Sequence, residues 1–590
     1  MATCAEEVSK TKLVVAAIDF GTTYSGYAFA FQKDYSSDHH SLRIYGIMSK
    51  NGCSQKAPTC VLFNPQGKFD SFGYDAENRY AELTLTNEHQ DWYYFRRFKM
   101  MLYNNPNITW HSILKDDKGK SMNAIKVFSA IISYLRQETL RNINERVANV
   151  GIKENEINWV LTVPAIWSDQ AKQFMREAAK KAGIHSDQLD IALEPEAASI
   201  YCKHISVSRR ERQETHGAEG VGLEAMCPGT KYLVLDAGGG TIDITVQRVQ
   251  ENGTLHQVYM ANGGDWGGTK VDEAYEAFLE ELVGQNIWEA FKAKYMDSYI
   301  DIFREFETKK RTISPDIENR ITFTVPPVLR DVYEEMKNSP LSTTQGHHRN
   351  RKLIWKGDRL RVDVTEAKKL FETTCALIVA HVERILDKEE TAGTSDILMV
   401  GGFSESPMLS NAIKERFGHT KRVIIPEEAG LSVLKGAVLF GFDTRVVSLR
   451  VMKHTYGIQS SSLFRKNLDP DITKTMVKGK LYCEDRFSKH VKKGQSVRID
   501  EETQTIDYHP LDDREEMAVK VYITDKYDPE YCDTELCSYI GQLLVCLPMD
   551  VPTSDRGVKV NMKFGGTELS VRATVMATNQ TTHAEFRLLE

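Results

Sequence analysis

The chain has 590 residues, of which 41% are hydrophobic and 27% are charged, and its formal net charge is −7. This length exceeds what a single hydrophobic core supports, so we expect several domains with the composition of an ordinary soluble protein. The acidic balance argues against nucleic-acid binding, and no apolar run approaches the ~18 residues of a membrane span.

The cysteines and the N-terminus indicate the compartment. None of the ten cysteines forms the Cys-x-x-Cys pair expected of a zinc site, so we interpret them as free thiols in a reducing compartment. Residues 1–11 are short and acidic, without the apolar core of a secretory signal, and we expect them to be disordered. These features predict a cytoplasmic protein, with the nucleus as the alternative.

The first predicted element is a strand that ends in a polar turn. The β-branched run over residues 13–17 leads into Ile18-Asp19-Phe20-Gly21-Thr22-Thr23-Tyr24 and then into alternating residues. Gly and Thr make a sharp turn that lets a ligand approach closely and points N–H groups and hydroxyls at an anion. Asp19 at the strand end is a candidate ligand for Mg²⁺, held through water.

Helical and strand patterns then alternate, which predicts an α/β architecture. Residues 123–149 carry apolar side chains at helical spacing, and residues 157–163 are typical of a buried strand. Ser168 is the expected N-cap of a helix that ends at Lys181, with Gly183 just beyond it.

An acidic residue opens the next predicted helix, at Glu194-Pro195-Glu196-Ala197-Ala198. A proline at the first helical position is typical of a helix start. Glu194 either orients a water for attack on a γ-phosphate or caps the helix, and the sequence does not separate these alternatives.

A second turn repeats the first. Residues 232–234 lead into Leu235-Asp236-Ala237-Gly238-Gly239-Gly240-Thr241-Ile242-Asp243. Asp236 and Asp243 are further Mg²⁺ candidates, and the threonines of both turns offer hydroxyls to phosphate, whereas the alternative for each acid is to cap its own turn. Two such turns far apart predict two related lobes that bind a polyphosphate from opposite sides.

A third turn, Gly401-Gly402-Phe403-Ser404, follows the strand over residues 396–400. A strand, two glycines and a helix start make a site where a nucleotide can lie against the backbone. The chain has no Gly-x-x-x-x-Gly-Lys-Ser/Thr element, which excludes a P-loop enzyme, and no strand is followed by Gly-x-Gly-x-x-Gly.

These patterns predict a domain layout. A nucleotide-binding domain covers residues 12–442, with polar, mobile insertions at 206–230 and 338–351. Short alternating strands replace helices after a junction at 443–454, so residues 455–590 are predicted to form a β-rich domain.

Together the motifs resemble the actin/hexokinase/heat-shock ATPase superfamily, and specifically subfamily 12 of the 70-kDa heat-shock protein family. Two departures are Glu196, where the family usually has Thr, and Phe403, where it usually has Ser. The resemblance implies nucleotide binding by Gly21, Thr22, Thr23, Tyr24, Gly238, Gly239, Gly240, Thr241, Glu307, Lys310, Arg311, Ser314, Gly401, Gly402, Phe403 and Glu427.

The resemblance also implies the candidate catalytic and metal residues. The family's catalytic lysine lies in an Arg-Lys-Phe context, which here is Arg96-Arg97-Phe98-Lys99, so Arg97 is the aligned residue. Because Arg and Lys differ in reach, ATP binding is expected more firmly than hydrolysis. The implied catalytic set is Glu194, Asp236, Thr241, Arg97 and Lys99, and the implied metal set is Asp19, Asp236 and Asp243.

The implied fold is a two-lobed, actin-like (ribonuclease H-like) α/β ATPase domain followed by an antiparallel β-sandwich-like domain without a helical lid. The implied function is that of a stress-response chaperone that binds ATP or ADP with Mg²⁺, hydrolyses slowly, and binds protein or peptide clients through residues 455–590, without a Glu-Glu-Val-Asp tail for co-chaperones. The alternatives are a nucleotide-dependent scaffold or signalling adaptor with negligible ATPase activity, and a small-molecule kinase of the same superfamily. The β-rich domain either binds extended peptides or only packs on the ATPase lobes.

Overall fold

The computed structural model describes residues 12–37, 42–46, 56–147, 151–216, 227–339, 353–499, 501–532, 535–565 and 568–586. The predicted disordered segment 1–11 lies outside these residues, as do residues 217–226 and 340–351 of the two predicted insertions.

The first lobe is built around a mixed sheet. Its strands are β1 (Val14–Phe20), β2 (Tyr24–Phe31), β3 (Ala57–Pro58), β4 (Cys60–Phe63), β5 (Phe69–Phe72), β6 (Tyr93–Arg96), β7 (Ile113–Lys115), β8 (Ser121–Asn123), β9 (Ile157–Val163) and β10 (Leu189–Leu193). Its helices are α1 (Gln32–Ser37), α2 (Tyr74–Leu85), α3 (Ala124–Arg146), α4 (Asp169–Lys181) and α5 (Glu194–His216). The sheet has the order β10-β9-β1-β2-β3, with β1 parallel to β9 and antiparallel to β2.

The second lobe repeats this arrangement. Its strands are β11 (Lys231–Ala237), β12 (Ile242–Val249), β13 (Leu255–Gly264), β14 (Ile321–Thr324), β15 (Leu353–Lys356), β16 (Arg359–Val362), β17 (Asp396–Val400), β18 (Arg422–Ile424) and β19 (Val447–Val451). Its helices are α6 (Thr269–Val283), α7 (Gln285–Lys294), α8 (Met296–Lys310), α9 (Pro327–Lys337), α10 (Val364–Leu386), α11 (Pro407–Phe417) and α12 (Ser432–Phe442). Here β11 lies parallel to β17 and antiparallel to β12, as β1 lies between β9 and β2.

The local signals around residue 168 are confirmed. The Ser168 hydroxyl accepts a hydrogen bond from the Ala171 amide at 3.2 Å, which satisfies one of the free N–H groups at the start of α4. The helix ends at Lys181, and Gly183 adopts φ +92°, a left-handed conformation that suits glycine. The predicted strand over residues 157–163 is β9.

Two helices, α5 and α12, pack between the lobes. Residues of both sheets, such as Val15 and Val234, share one hydrophobic cluster with both helices. A Cβ atom at Gly436 of α12 would overlap the carbonyl oxygen of Ala197 in α5, so the helices cross at a distance that only glycine permits. Burial of this cluster favours one arrangement of the lobes. In the described part of the chain, no helix is both long and apolar enough to cross a bilayer.

The C-terminal region consists of antiparallel sheets. Its strands are β20 (Thr455–Leu463), β21 (Lys474–Val477), β22 (Lys480–Val491), β23 (Ser496–Arg498), β24 (Ile506–Tyr508), β25 (Glu516–Thr524), β26 (Cys537–Cys546), β27 (Val558–Gly565), β28 (Glu568–Val575) and β29 (Thr581–Phe586). One sheet has the order β21-β22-β20-β25-β26 and the other β24-β27-β28-β29, and their apolar faces share one cluster that includes Val519, Val521, Val560 and Val571.

The predicted junction contributes a strand to a sheet. Within residues 443–454, β19 pairs in parallel with β13 and antiparallel with β23. The second-lobe sheet thus has the order β18-β17-β11-β12-β13-β19-β23. Strand β23 falls within the predicted β-rich domain in sequence, yet it extends the sheet of the second lobe. Residues 206–216, predicted to start a mobile insertion, continue α5.

Candidate functional site

The two predicted phosphate turns face each other. The first joins β1 to β2 and the second joins β11 to β12. A Cβ atom added to Gly240 would lie 2.5 Å from the Thr22 hydroxyl, and one added to Gly239 would overlap Thr23. Glycine is therefore required where the turns of the two lobes approach each other.

A cavity of about 520 Å³ opens between these turns, which is a volume typical of small-molecule sites. Most of the predicted nucleotide-binding residues line it, and Ser314 and Glu427, although described, do not. Those that line it are Gly21, Thr22, Thr23, Tyr24, Gly238, Gly239, Gly240, Thr241, Glu307, Lys310, Arg311, Gly401, Gly402 and Phe403.

Three buried acids and one partly buried acid lie at or just behind the inner end of the cavity. Asp19, Glu194 and Asp236 line it, whereas Asp243, the register partner of Asp236, lies behind the lining and accepts hydrogen bonds from the amides of Ala165 and Ile166. Burial raises the pKa of Asp236 well above its usual range, and the charges of Glu194, Asp243 and Asp19 raise it further. Burial also raises the pKa of Asp243 to about 7.

Two lysines neutralise part of this charge. Lys99 is buried; its ammonium donates to Glu194 Oε1 at 2.9 Å and lies 4.9 Å from the centre of the Trp167 ring. Burial still raises the pKa of Glu194 above its ordinary value. Burial would also raise the pKa of Asp19, but Lys56, together with Lys99 and Thr162, holds that pKa below its ordinary value.

The structure corrects the position assigned to Arg97. This residue has φ 53° and does not line the cavity; its guanidinium binds Asp272 Oδ2 at 2.6 Å instead. A 3₁₀ turn over residues 98–102 follows, and Lys99 of this turn lines the cavity. The cation beside Glu194 is therefore a lysine, and the expectation that an arginine replaces it is not met in this cavity.

Two basic residues, Lys310 at the end of α8 and the following Arg311, line the second-lobe side of the cavity. Lys310 donates to Asp272 Oδ1 at 2.7 Å and contacts Glu307 at 2.5 Å, and Arg311 binds Glu307 at 2.7 Å. These pairs fix the orientation of long side chains that would otherwise lose conformational entropy on binding a ligand.

Sequence reasoning missed Lys56. Its ammonium donates to Asp19 Oδ2 at 2.5 Å and to the Gly430 carbonyl at 2.8 Å. No motif contains this lysine, and it reaches Asp19 because β3 pairs with β2 at Tyr24 and Pro58. Its position follows from long-range pairing, for which the sequence around residue 56 gives no signal.

The acids fit a hydrated divalent cation better than a directly coordinated one. Among the described residues, no group of three His, Cys, Asp or Glu side chains is arranged to hold a metal ion. However, Asp243 Oδ1 is buried without a hydrogen-bond partner, and burial together with the charge of Glu194 raises the pKa values of both Asp236 and Asp243. Mg²⁺ retains most of its water in such sites, which agrees with this arrangement.

Comparisons with known proteins agree with this architecture. The Hsp70 protein family model matches residues 15–482. Heat shock 70 kDa protein 12B from Homo sapiens is 32% identical over 627 aligned residues, covering 98% of this chain and 91% of the relative. Heat shock 70 kDa protein 12A from Homo sapiens is also 32% identical, with 96% and 90% covered. The mitochondrial iron-sulfur cluster biogenesis chaperone of Saccharomyces cerevisiae is 23% identical, with 79% and 66% covered. The chain therefore belongs to the Hsp70 family and is homologous to heat shock 70 kDa proteins 12A and 12B over nearly its whole length.

Proposed function

We propose that the protein is an Hsp70-like chaperone that binds ATP between its two lobes. The observation that carries this proposal is the pair of facing Gly/Thr turns, which enclose one cavity together with Lys99 and Glu194. The turns offer amides and hydroxyls to phosphates, and the adjacent lysines offer positive charge.

The residues of the cavity have distinct proposed roles. Gly21–Thr23 and Gly238–Thr241 bind the phosphates, and Lys310 and Arg311 hold the adenosine. Glu194, kept in place by Lys99, orients the attacking water with the help of the Thr241 hydroxyl. Mg²⁺ held through water near Asp236 would neutralise phosphate charge. Phosphoryl transfer requires little beyond such positioning and charge neutralisation.

We further propose that the C-terminal sheets bind protein or peptide partners. Apolar side chains are exposed around the end formed by β20, β21 and β22, including Leu463, Ile472 and Met476. The edge strand β21 also leaves backbone groups available for an added strand. Exposed apolar residues beside a free sheet edge favour an extended, apolar peptide as the ligand.

A nucleotide-dependent scaffold is the second candidate. One observation favours it: Arg450 of β19 binds the Glu196 carboxylate through two hydrogen bonds of 2.8 and 2.6 Å, and both side chains are largely buried. A junction fixed in this way favours a long-lived conformation over rapid cycling.

Calorimetry with ATP and ADP tests the nucleotide site, and γ-phosphate release under single-turnover conditions separates the two candidates. For a chaperone ATPase, we expect Glu194→Ala to slow release by at least about a hundredfold while ATP affinity changes little. A Lys489→Met variant, which removes a partly exposed ion pair with Asp528 in the C-terminal region, serves as the control. Equal, slow release from the wild type and Glu194→Ala would reject hydrolysis, and no heat of ATP binding would reject the site.

A further inference from the structure

The ammonium of Lys99 has a second neighbour besides Glu194. Lys99 is only 2% exposed, and its Nζ lies over the ring of Trp167, 4.9 Å from the ring centre. Trp167 is buried to the same degree. A buried ammonium has lost its water, and among aromatic rings the face of an indole attracts a cation most strongly. The carboxylate of Glu194 and the ring of Trp167 therefore both stabilise this cation.

The indole N–H of Trp167 shows that the ring is not oriented by a hydrogen bond. Its Nε1 is buried and has no hydrogen-bond partner among the described residues. Buried indole N–H groups are usually paired, because an unpaired one costs free energy. The attraction between the ring face and the Lys99 ammonium accounts for an orientation that leaves the N–H unpaired.

The backbone on both sides of Trp167 fixes the ring. The preceding residue, Ile166, donates its N–H to Asp243 at 3.2 Å, and the following residue, Ser168, caps α4. The ring itself belongs to the hydrophobic cluster of the first lobe. Trp167 therefore has little freedom to move, whereas the long side chain of Lys99 is intrinsically flexible. The rigid ring can restrict the position of the flexible ammonium.

We propose that Trp167 is a positioning residue for ATP hydrolysis, which holds the Lys99 ammonium on Glu194 through the face of its indole ring. This inference rests on the proposed function, in which Glu194 orients the attacking water. Trp167 does not line the cavity, so it acts through Lys99 and not by contact with ATP. Its loss should slow γ-phosphate release and leave ATP affinity within about threefold of the wild type.

Fluorinated tryptophan tests the interaction with little change in packing. Each fluorine on the indole ring weakens the attraction of its face for a cation, whereas the size of the ring changes little. With all seven tryptophans replaced by the mono- and then the difluorinated form, we expect single-turnover γ-phosphate release to fall by about twofold for each fluorine. Trp167→Phe, which carries no fluorine at this position, should show no such dependence.

A double-mutant cycle with Lys99→Met separates positioning from a purely structural role. Trp167→Leu removes the ring face, and we expect release to fall by about tenfold, with Trp167→Phe between this variant and the wild type. In the Lys99→Met background, Trp167→Leu should change release by less than about threefold, because the cation is absent. Thermal unfolding verifies that each variant is folded, and Lys489→Met should behave as the wild type.

The fluorescence of Trp167 supplies a measurement that does not require ATP. A charge close to an indole ring shifts its emission wavelength through its electric field. The difference between spectra recorded with and without Trp167→Phe isolates the emission of this residue. We expect Lys99→Met to shift that emission and Arg97→Met to leave it unchanged.

Two outcomes would overturn the inference. One is fluorination that slows γ-phosphate release equally, or not at all, in the wild type and Trp167→Phe. The other is a loss from Trp167→Leu that has the same size with and without Lys99. A wild type that binds ATP but releases no γ-phosphate would instead reject hydrolysis and with it this role, while the emission of Trp167 would still report whether the ring contacts Lys99.

Discussion

Asp272 of α6 binds two cations at once. Its Oδ2 accepts from Arg97 and its Oδ1 from Lys310, at 2.6 and 2.7 Å. The carboxylate is buried and therefore needs a cation to compensate its charge. Because it has two, removal of either one leaves the other in place. Arg97 therefore connects the first lobe to the basic side of the cavity without contacting the inner acids.

The different positions of Lys99 and Arg97 predict different effects of their substitution on γ-phosphate release. Lys99→Met leaves Glu194 buried without its ammonium partner, so we expect γ-phosphate release to fall by at least about a hundredfold. Arg97→Met removes a partly exposed side chain outside the cavity, and we expect a change of less than about threefold. Single-turnover release at saturating ATP measures both. A larger loss for Arg97→Met would restore Arg97 as the residue next to the phosphates.

Local patterns predicted much of this site. The turn around Gly21 and the turn around Gly239 have short-range signals, since Gly and Thr after an apolar run specify the bend. The choice between Arg97 and Lys99 depends on one left-handed residue, which no spacing reveals. Lys56 meets Asp19 only through the pairing of β3 with β2. The sequence therefore predicts the turns, whereas the partners of the charged side chains depend on tertiary structure.

Strand β19 is a whole element whose place also depends on tertiary structure and not on local sequence patterns. Clear helical periodicity disappears after Asp443, and the sequence predicts an interdomain junction over residues 443–454. The structure instead places β19 against β13, and its Arg450 reaches back to α5. Glu196, a departure from the family pattern, is the residue that receives this arginine. The departure thus has a structural reason that its own segment could not show.

The ion pair between Glu196 and Arg450 predicts a specific loss of stability. Removal of one partner leaves a buried charge, so Arg450→Met alone and Glu196→Thr alone should each lower the free energy of unfolding by about 3 kcal/mol. The double variant removes both charges and should lose less than the sum of the single losses. Denaturant unfolding in a double-mutant cycle measures this coupling. Additive losses would show that the pair contributes no more than a surface ion pair.

At the scale of the whole molecule, residues 450–456 contact the first lobe near the site. Besides Arg450, Lys453 donates to the Ala165 carbonyl at 2.7 Å, and the Tyr456 hydroxyl donates to Asp169 at 2.8 Å. The Ala165 carbonyl belongs to the same peptide group as the Ile166 N–H, which donates to Asp243 of β12 at 3.2 Å. A short chain of hydrogen bonds therefore runs from Asp243 to Lys453, two residues before β20.

This chain of hydrogen bonds predicts that nucleotide binding changes the protection of residues 447–458 against hydrogen exchange. If ATP alters the charge around Asp243, the bond between the Ala165 carbonyl and Lys453 changes strength, because the Ile166 N–H of the same peptide group donates to Asp243. We expect hydrogen exchange of β19 and the start of β20 to change by about tenfold on ATP addition. Lys453→Met should abolish this difference while ATP affinity stays within about threefold, since the lysine lies outside the lining of the cavity. Lys489→Met is the control. An equal change in Lys453→Met would mean that the lobes signal to the C-terminal sheets by another contact, for which Arg450 and Glu196 are the next pair to test.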